Sequence, residues 1–153
     1  MSQNIFNPDF VEFINALNHC EVDYVLVGGY AVILHGYSRT TGDMDFWVKP
    51  TQANYQKLIK AFEIFRLPLF DMTLDKFLNT DDYDVFSFGR PPMAIDIMTK
   101  VKGLFFDEVV DGAQWFELEE NFAIRVVNFH DLIKAKTKSG RFKDLDDIEQ
   151  LEQ

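Results

Sequence analysis

Three aspartates stand in runs where aspartate is uncommon. Asp43 and Asp45 alternate with Met44 and Phe46 in DMDFWV, and Asp96 lies in MAIDIM, another strongly apolar run. In an extended strand, residues two apart share a face. Asp43 and Asp45 therefore project together, about 7 Å apart at the backbone, while Met44, Phe46 and Val48 point the other way. One face is core and the other is a site. Burying a carboxylate without a partner is costly, and a second beside it adds like-charge repulsion, so the arrangement calls for a cation. Hard oxygen ligands select Mg²⁺ or Mn²⁺, and two such ions about 4 Å apart stabilise both the attacking and the leaving oxygen in phosphoryl transfer. Asp96 is the expected third carboxylate that fixes the ions.

Upstream, Gly28 and Gly29 follow the apolar run YVLV directly. Without Cβ, such a pair lets the backbone approach a phosphate closely, and the start of the following helix favours negative charge. Gly-Gly after a strand is most often only a turn, so the weight rests on its joint spacing with the aspartates. Asp82 and Asp84 lie in turn-like sequence without preceding glycines and read as a solvated loop; they also fail the spacing of a calcium-binding EF-hand. His19, His35 and His130 lack metal-ligand spacing, and His35 reads as a packing or capping residue beside Gly36.

The elements that must position these groups follow from periodicity and caps. Asn7 and Pro8 start a helix over about 8–19, with Phe10, Val11, Phe13, Ile14 and Leu17 at helical spacing. DYVLVGG is a short buried strand, and YAVILHG is two helical turns ending at Gly36. DMDFWVKP is a second strand stopped by Pro50, and Thr51 caps a helix through about Phe65. No element is assigned over the irregular stretch RLPLFDMTLDKFLNTDDYD. DVFSFG and MAIDIMTK form a hairpin across Gly89–Pro92, and shorter strands follow at QWFELE and FAIRVVN. Asn128 caps a helix through FHDLIKAKTK, Ser139-Gly140 breaks it, and RFKDLDDIEQLEQ resumes with Leu145, Ile148 and Leu151 on one stripe. The order implies a single α+β domain over 1–153, a mixed β-sheet packed with helices, closed by a C-terminal helical hairpin.

The 153 residues are 47% hydrophobic with 16 Phe, enough to fill a core and exclude disorder. Fifteen Lys+Arg against 25 Asp+Glu give a net charge of -10, so a nucleic-acid partner would have to meet a local basic patch. The run Lys134, Lys136, Lys138, Arg141, Lys143 is the one available, and otherwise reads as a solvated helix face. The single Cys20 excludes an internal disulfide. With neither a long apolar run nor a charged-then-apolar leader, a cytoplasmic chain with no membrane segment is expected.

Val27-Gly28-Gly29, Asp43-Met44-Asp45-Phe46 and the later Asp96 resemble the nucleotidyltransferase superfamily, the DNA-polymerase-β-like fold in its small bacterial forms. The wording GGYAVILHGYSRTTGDMDF, with His-Gly, Arg and Thr before the acids, looks closest to the branch related to AbiEii-type toxins. That branch's C-terminal motif, a helical Lys followed by a basic-Asp element, is met by Lys136 and by Arg141, Lys143 and Asp144. Gly29 stands where many members carry Ser. The resemblance implies metal-dependent transfer of a nucleoside monophosphate from a nucleoside triphosphate to an acceptor, which is a small molecule, an RNA or a protein. Asp43 and Asp45 would hold both ions. Asp96 would hold one and help deprotonate the acceptor. Gly28, Gly29, Arg39 and Thr40 would meet the nucleotide, and Lys136 and Asp144 would act together near the triphosphate. The alternatives are a toxin restrained by an antitoxin protein and a non-catalytic, antitoxin-like binding module.

Overall fold

The computed structural model describes residues 8–36, 42–90, 93–119, 122–139 and 142–152. Along the chain the elements are α1 (Pro8–His19), β1 (Tyr24–Val27), α2 (Gly28–Leu34), β2 (Asp43–Val48), α3 (Gln52–Phe65), α4 (Leu74–Leu78), β3 (Val85–Arg90), β4 (Met93–Met98), α5 (Phe106–Gly112), β5 (Gln114–Glu119), β6 (Phe122–Val126), α6 (Phe129–Ser139) and α7 (Phe142–Leu151). The strands form one six-stranded sheet in the order β3-β4-β2-β1-β6-β5. It is mixed: β2 pairs parallel with β4 and β1 parallel with β6, while the other neighbours are antiparallel.

Helices α1 and α3 pack on each other, and their aromatic stripes cover one face of the sheet. Phe13 meets Phe46 of β2 at 5.4 Å and Phe62 of α3 at 5.7 Å between ring centres, and Phe62 reaches Phe88 of β3 at 4.9 Å. These edge-on contacts suit rings that bury large apolar areas. Met44, Phe46 and Val48 lie fully buried, as alternation in β2 requires. The opposite face is not all site, however. Trp47 shares that face with Asp43 and Asp45, and it is buried against Phe106 of α5 at 5.4 Å. Only the leading half of β2 is left for chemistry.

Local caps hold the helices in place. The Thr51 hydroxyl accepts from the Asn54 amide at 3.2 Å at the start of α3, and the Asn128 side chain accepts from the Asp131 amide at 2.7 Å at the start of α6. Asn54 is itself buried. Its side chain accepts from the Asp23 amide at 2.8 Å and donates to the Asp23 and Lys49 carbonyls at 3.0 and 2.9 Å. It thereby ties α3 to the ends of β1 and β2. The irregular stretch contains α4, capped by Thr73 and anchored by the buried Phe77, with Tyr55 donating to the Met72 carbonyl at 2.8 Å. Helix α5 has no counterpart in the sequence expectations: it has seven residues from Phe106, and its N-cap residue Phe105 makes no side-chain cap. The Asn7 cap and the Pro91-Pro92 turn lie outside the described residues. Among those described, no helix is long and apolar enough to cross a membrane.

Candidate active site

Val27, Asp45, Asp96 and Ser87 are successive register partners across β1, β2, β4 and β3. Register partners share a face, so the sheet carries a single row of one apolar and three polar side chains. Asp43 stands two residues earlier on β2, opposite Ala94, and is exposed at the strand's start. Asp45, by contrast, is set deep in the row. The Ser87 hydroxyl donates to Asp96 Oδ1 at 2.7 Å, so Asp96 has a hydrogen-bond donor on one side and Asp45 on the other.

The chain turns from β1 into α2 at Gly28, whose φ is +72°. That left-handed conformation is costly for a residue with Cβ. A Cβ there would also overlap Oδ2 of Asp45. The glycine thus has a structural reason besides access for a phosphate: it makes room for the Asp45 carboxylate against the backbone. Helix α2 starts at Gly28 itself and is seven residues long, with Gly29 as its half-buried second residue.

Burial is the main force on the Asp45 carboxyl. Together with the charge and hydrogen bond of Asp96 and the charge of Asp43, it raises the pKa from an ordinary 3.8 to about 7, against a smaller opposing pull from Lys136. Crowded carboxylates that resist ionising are a recurrent property of catalytic and metal sites.

Lys136 is buried on α6 and pairs with Asp147 of α7, Nζ to Oδ2 at 2.9 Å. It lines a cavity of about 390 Å³ whose wall also includes Val27, Gly28, Asp45 and Met98. The β4–α5 loop adds Lys100 and Lys102, and Asp84 borders the same space rather than facing solvent alone. His35 packs as expected: its Nε2–H donates to the Val127 carbonyl at 2.7 Å, and its ring meets Phe116 and Phe129.

The fold therefore brings Gly28, Asp45, Asp96 and Lys136 together, with Asp43 at the margin. Arg39, Thr40 and Arg141 lie outside the described residues. Asp144 belongs to α7, but the described ion pair of Lys136 is with Asp147, three residues further along that helix. The sequence pointed neither to the cavity residues Lys100 and Lys102 nor to two direct partners of the predicted side chains, Asp147 and Ser87. Asp147 shares a helical face with Leu151 and adjoins Ile148, so an acid bordering an apolar stripe was the available signal. Ser87 alternates with Phe86 and Phe88 and so had to face the aspartates once β3 paired with β4.

The donor set suits a hard divalent cation. Asp45 and Asp96 meet directly, and a positive ion between them would relieve the repulsion that raises the Asp45 carboxyl. Among the described residues, no three acidic, His or Cys side chains are already gathered as a chelate. Asp45 and Asp96 are adjacent, and Asp43 is within electrostatic reach of Asp45.

No protein-family model matches the chain. No curated protein matches it. Among solved structures it is similar to the lincosamide antibiotic adenylyltransferase LnuA, determined with lincomycin bound. The TM-score is 0.61 with 17% sequence identity, covering 98% of each chain. At that identity the likeness establishes the fold: a nucleotidyltransferase-like α+β architecture built on a six-stranded mixed sheet.

Proposed function

We propose that this chain transfers a nucleoside monophosphate from a nucleoside triphosphate to a small hydroxylated acceptor. The observation that carries the reading is the register pairing of Asp45 with Asp96 beside a cavity of about 390 Å³ that also holds Lys136. Two carboxylates forced together, a fixed cation across from them and a nucleotide-sized space are the parts that phosphoryl transfer needs.

Asp43, Asp45 and Asp96 are the residues that would hold Mg²⁺ or Mn²⁺, which supplies Lewis-acid stabilisation of charge on the phosphate oxygens. Gly28 and Gly29 edge the triphosphate, and Arg39 and Thr40 are assigned to the same nucleotide. An oxygen of the acceptor attacks the α-phosphorus and passes its proton to the Asp96 carboxylate. The bond from that phosphorus to the bridging oxygen breaks, and pyrophosphate leaves. Lys136, held by Asp147 with Asp144 on the same helix, offsets negative charge on the transferred group.

A small acceptor is favoured because the cavity is bounded by α6 and the chain carries a net charge of -10, which disfavours a nucleic-acid partner. The fold neighbour, a lincosamide antibiotic adenylyltransferase, points the same way. The test is incubation with each labelled nucleoside triphosphate, Mg²⁺ or Mn²⁺, and separated small-molecule, RNA and protein fractions of a cell extract. Label in a small molecule, absent with Asp45→Asn, supports the proposal. Label confined to RNA or protein would instead favour the toxin-like reading, with an antitoxin protein as partner. Absence of transfer with every triphosphate would leave the non-catalytic alternative.

A further inference from the structure

We propose that Ser87 is a positioning residue that aims the Asp96 carboxylate at the reacting atoms. The inference rests on the proposed nucleotidyl transfer and extends it to a residue on the edge strand of the sheet. Asp96 lies between two register partners of opposite character, Asp45 on β2 and Ser87 on β3. On the Asp45 side a second carboxyl is pressed against it and hydrogen-bonded to it, whereas the Ser87 side offers a hydroxyl donating to Oδ1 at 2.7 Å. The terminal torsion of an aspartate is soft, so a crowding neighbour on one side readily turns the carboxylate. A short hydrogen bond to a charged acceptor opposes that rotation. It fixes Oδ1 toward β3 and so sets the plane of the carboxylate for the proton transfer or ion contact proposed for Asp96.

Ser87 sits exposed between the buried Phe86 and Phe88, where strand preference favours β-branched or aromatic residues. Its only hydrogen bond described is the one to Asp96. Groups that orient catalytic or metal-binding carboxylates commonly change affinity or rate by about 10- to 100-fold when removed.

The experiment compares wild type, Ser87→Ala and Ser87→Thr, since threonine keeps the hydroxyl and suits a strand. Steady-state kinetics give kcat and KM for the triphosphate. Separately, electron paramagnetic resonance follows Mn²⁺ binding in the presence of a triphosphate analogue that cannot transfer its nucleotide. With Ser87→Ala, kcat is expected to fall about 10- to 100-fold with KM within about twofold, and Mn²⁺ to bind about tenfold more weakly. With Ser87→Thr both are expected to stay within about threefold of wild type. An alanine variant equal to wild type in kcat and in Mn²⁺ affinity would overturn the inference, as would a threonine variant as impaired as alanine. A wild-type chain that binds no Mn²⁺ with the analogue would remove the proposed function as well. Normal wild-type transfer with an unaffected alanine variant would remove only the role of Ser87.

Discussion

Replacing Asp45 by Asn should make the chain more stable while disabling it. Asparagine keeps the shape that fits over Gly28 and can donate to Asp96, but it cannot ionise. In the folded chain the Asp45 carboxyl has its pKa raised from 3.8 to about 7, chiefly by burial and by Asp96. The unfolded chain gives up its proton near the ordinary value, so between about pH 4 and pH 7 the folded state holds the extra proton. Stability contributed by protonated Asp45 is therefore complete below pH 4, falls as pH rises, and is gone above about pH 7. The full rise corresponds to about 4 kcal/mol, an upper bound because the half-buried carboxyl can relax toward solvent. At pH 8 without divalent ions, Asp45→Asn is expected to gain about 2 to 4 kcal/mol in urea denaturation, or about 5 to 15 °C in melting temperature. At pH 5 the gain should shrink to less than half. The same variant should lose the melting shift that Mn²⁺ plus a triphosphate gives the wild type. A gain that is absent, or equal at both pH values, would refute the electrostatic account; a retained ligand shift would refute Asp45 as an ion ligand.

Gly28→Ala should cost about 2 to 4 kcal/mol, from a positive φ and a methyl driven into the Asp45 carboxylate. Urea titration of Gly28→Ala combined with Asp45→Ala checks this, since removing the carboxylate should recover part of the loss. Lys136→Met removes the cation facing Asp147, where the two side chains are 8% and 2% exposed. A loss of about 3 to 5 kcal/mol is expected, largely restored in the Lys136→Met, Asp147→Leu double variant, with transfer activity restored in neither. Asn54→Ala should cost about 1 to 3 kcal/mol by chemical denaturation, because the Asp23 amide loses its acceptor while the Asp23 and Lys49 carbonyls keep only their backbone donors. Kinetic constants measured on that variant below its melting temperature should match wild type, since Asn54 supports the scaffold from outside the cavity.

The sequence by itself determined the pieces whose cause is local. The spacing of Phe10, Phe13, Ile14 and Leu17 set the buried stripe of α1, Thr51 and Asn128 set the starts of α3 and α6, and alternation put Asp43 and Asp45 opposite Met44 and Phe46. These signals depend on neighbours within a turn or on the two-residue repeat of a strand. Helices α4 and α5 were not legible because their five and seven residues carry little periodicity and lack a glycine pair such as the one that opens α2, and their anchors Phe77 and Phe106 pack on the distant Tyr55 and Trp47. Only the tertiary structure decided which groups meet. Parallel pairing of β2 with β4 set Asp45 against Asp96 across 51 positions of chain, pairing of β3 with β4 added Ser87, and the packing of α7 on α6 gave Lys136 the partner Asp147. Strand register and helix docking are set by the burial of whole faces, a long-range sum that no short window of sequence contains.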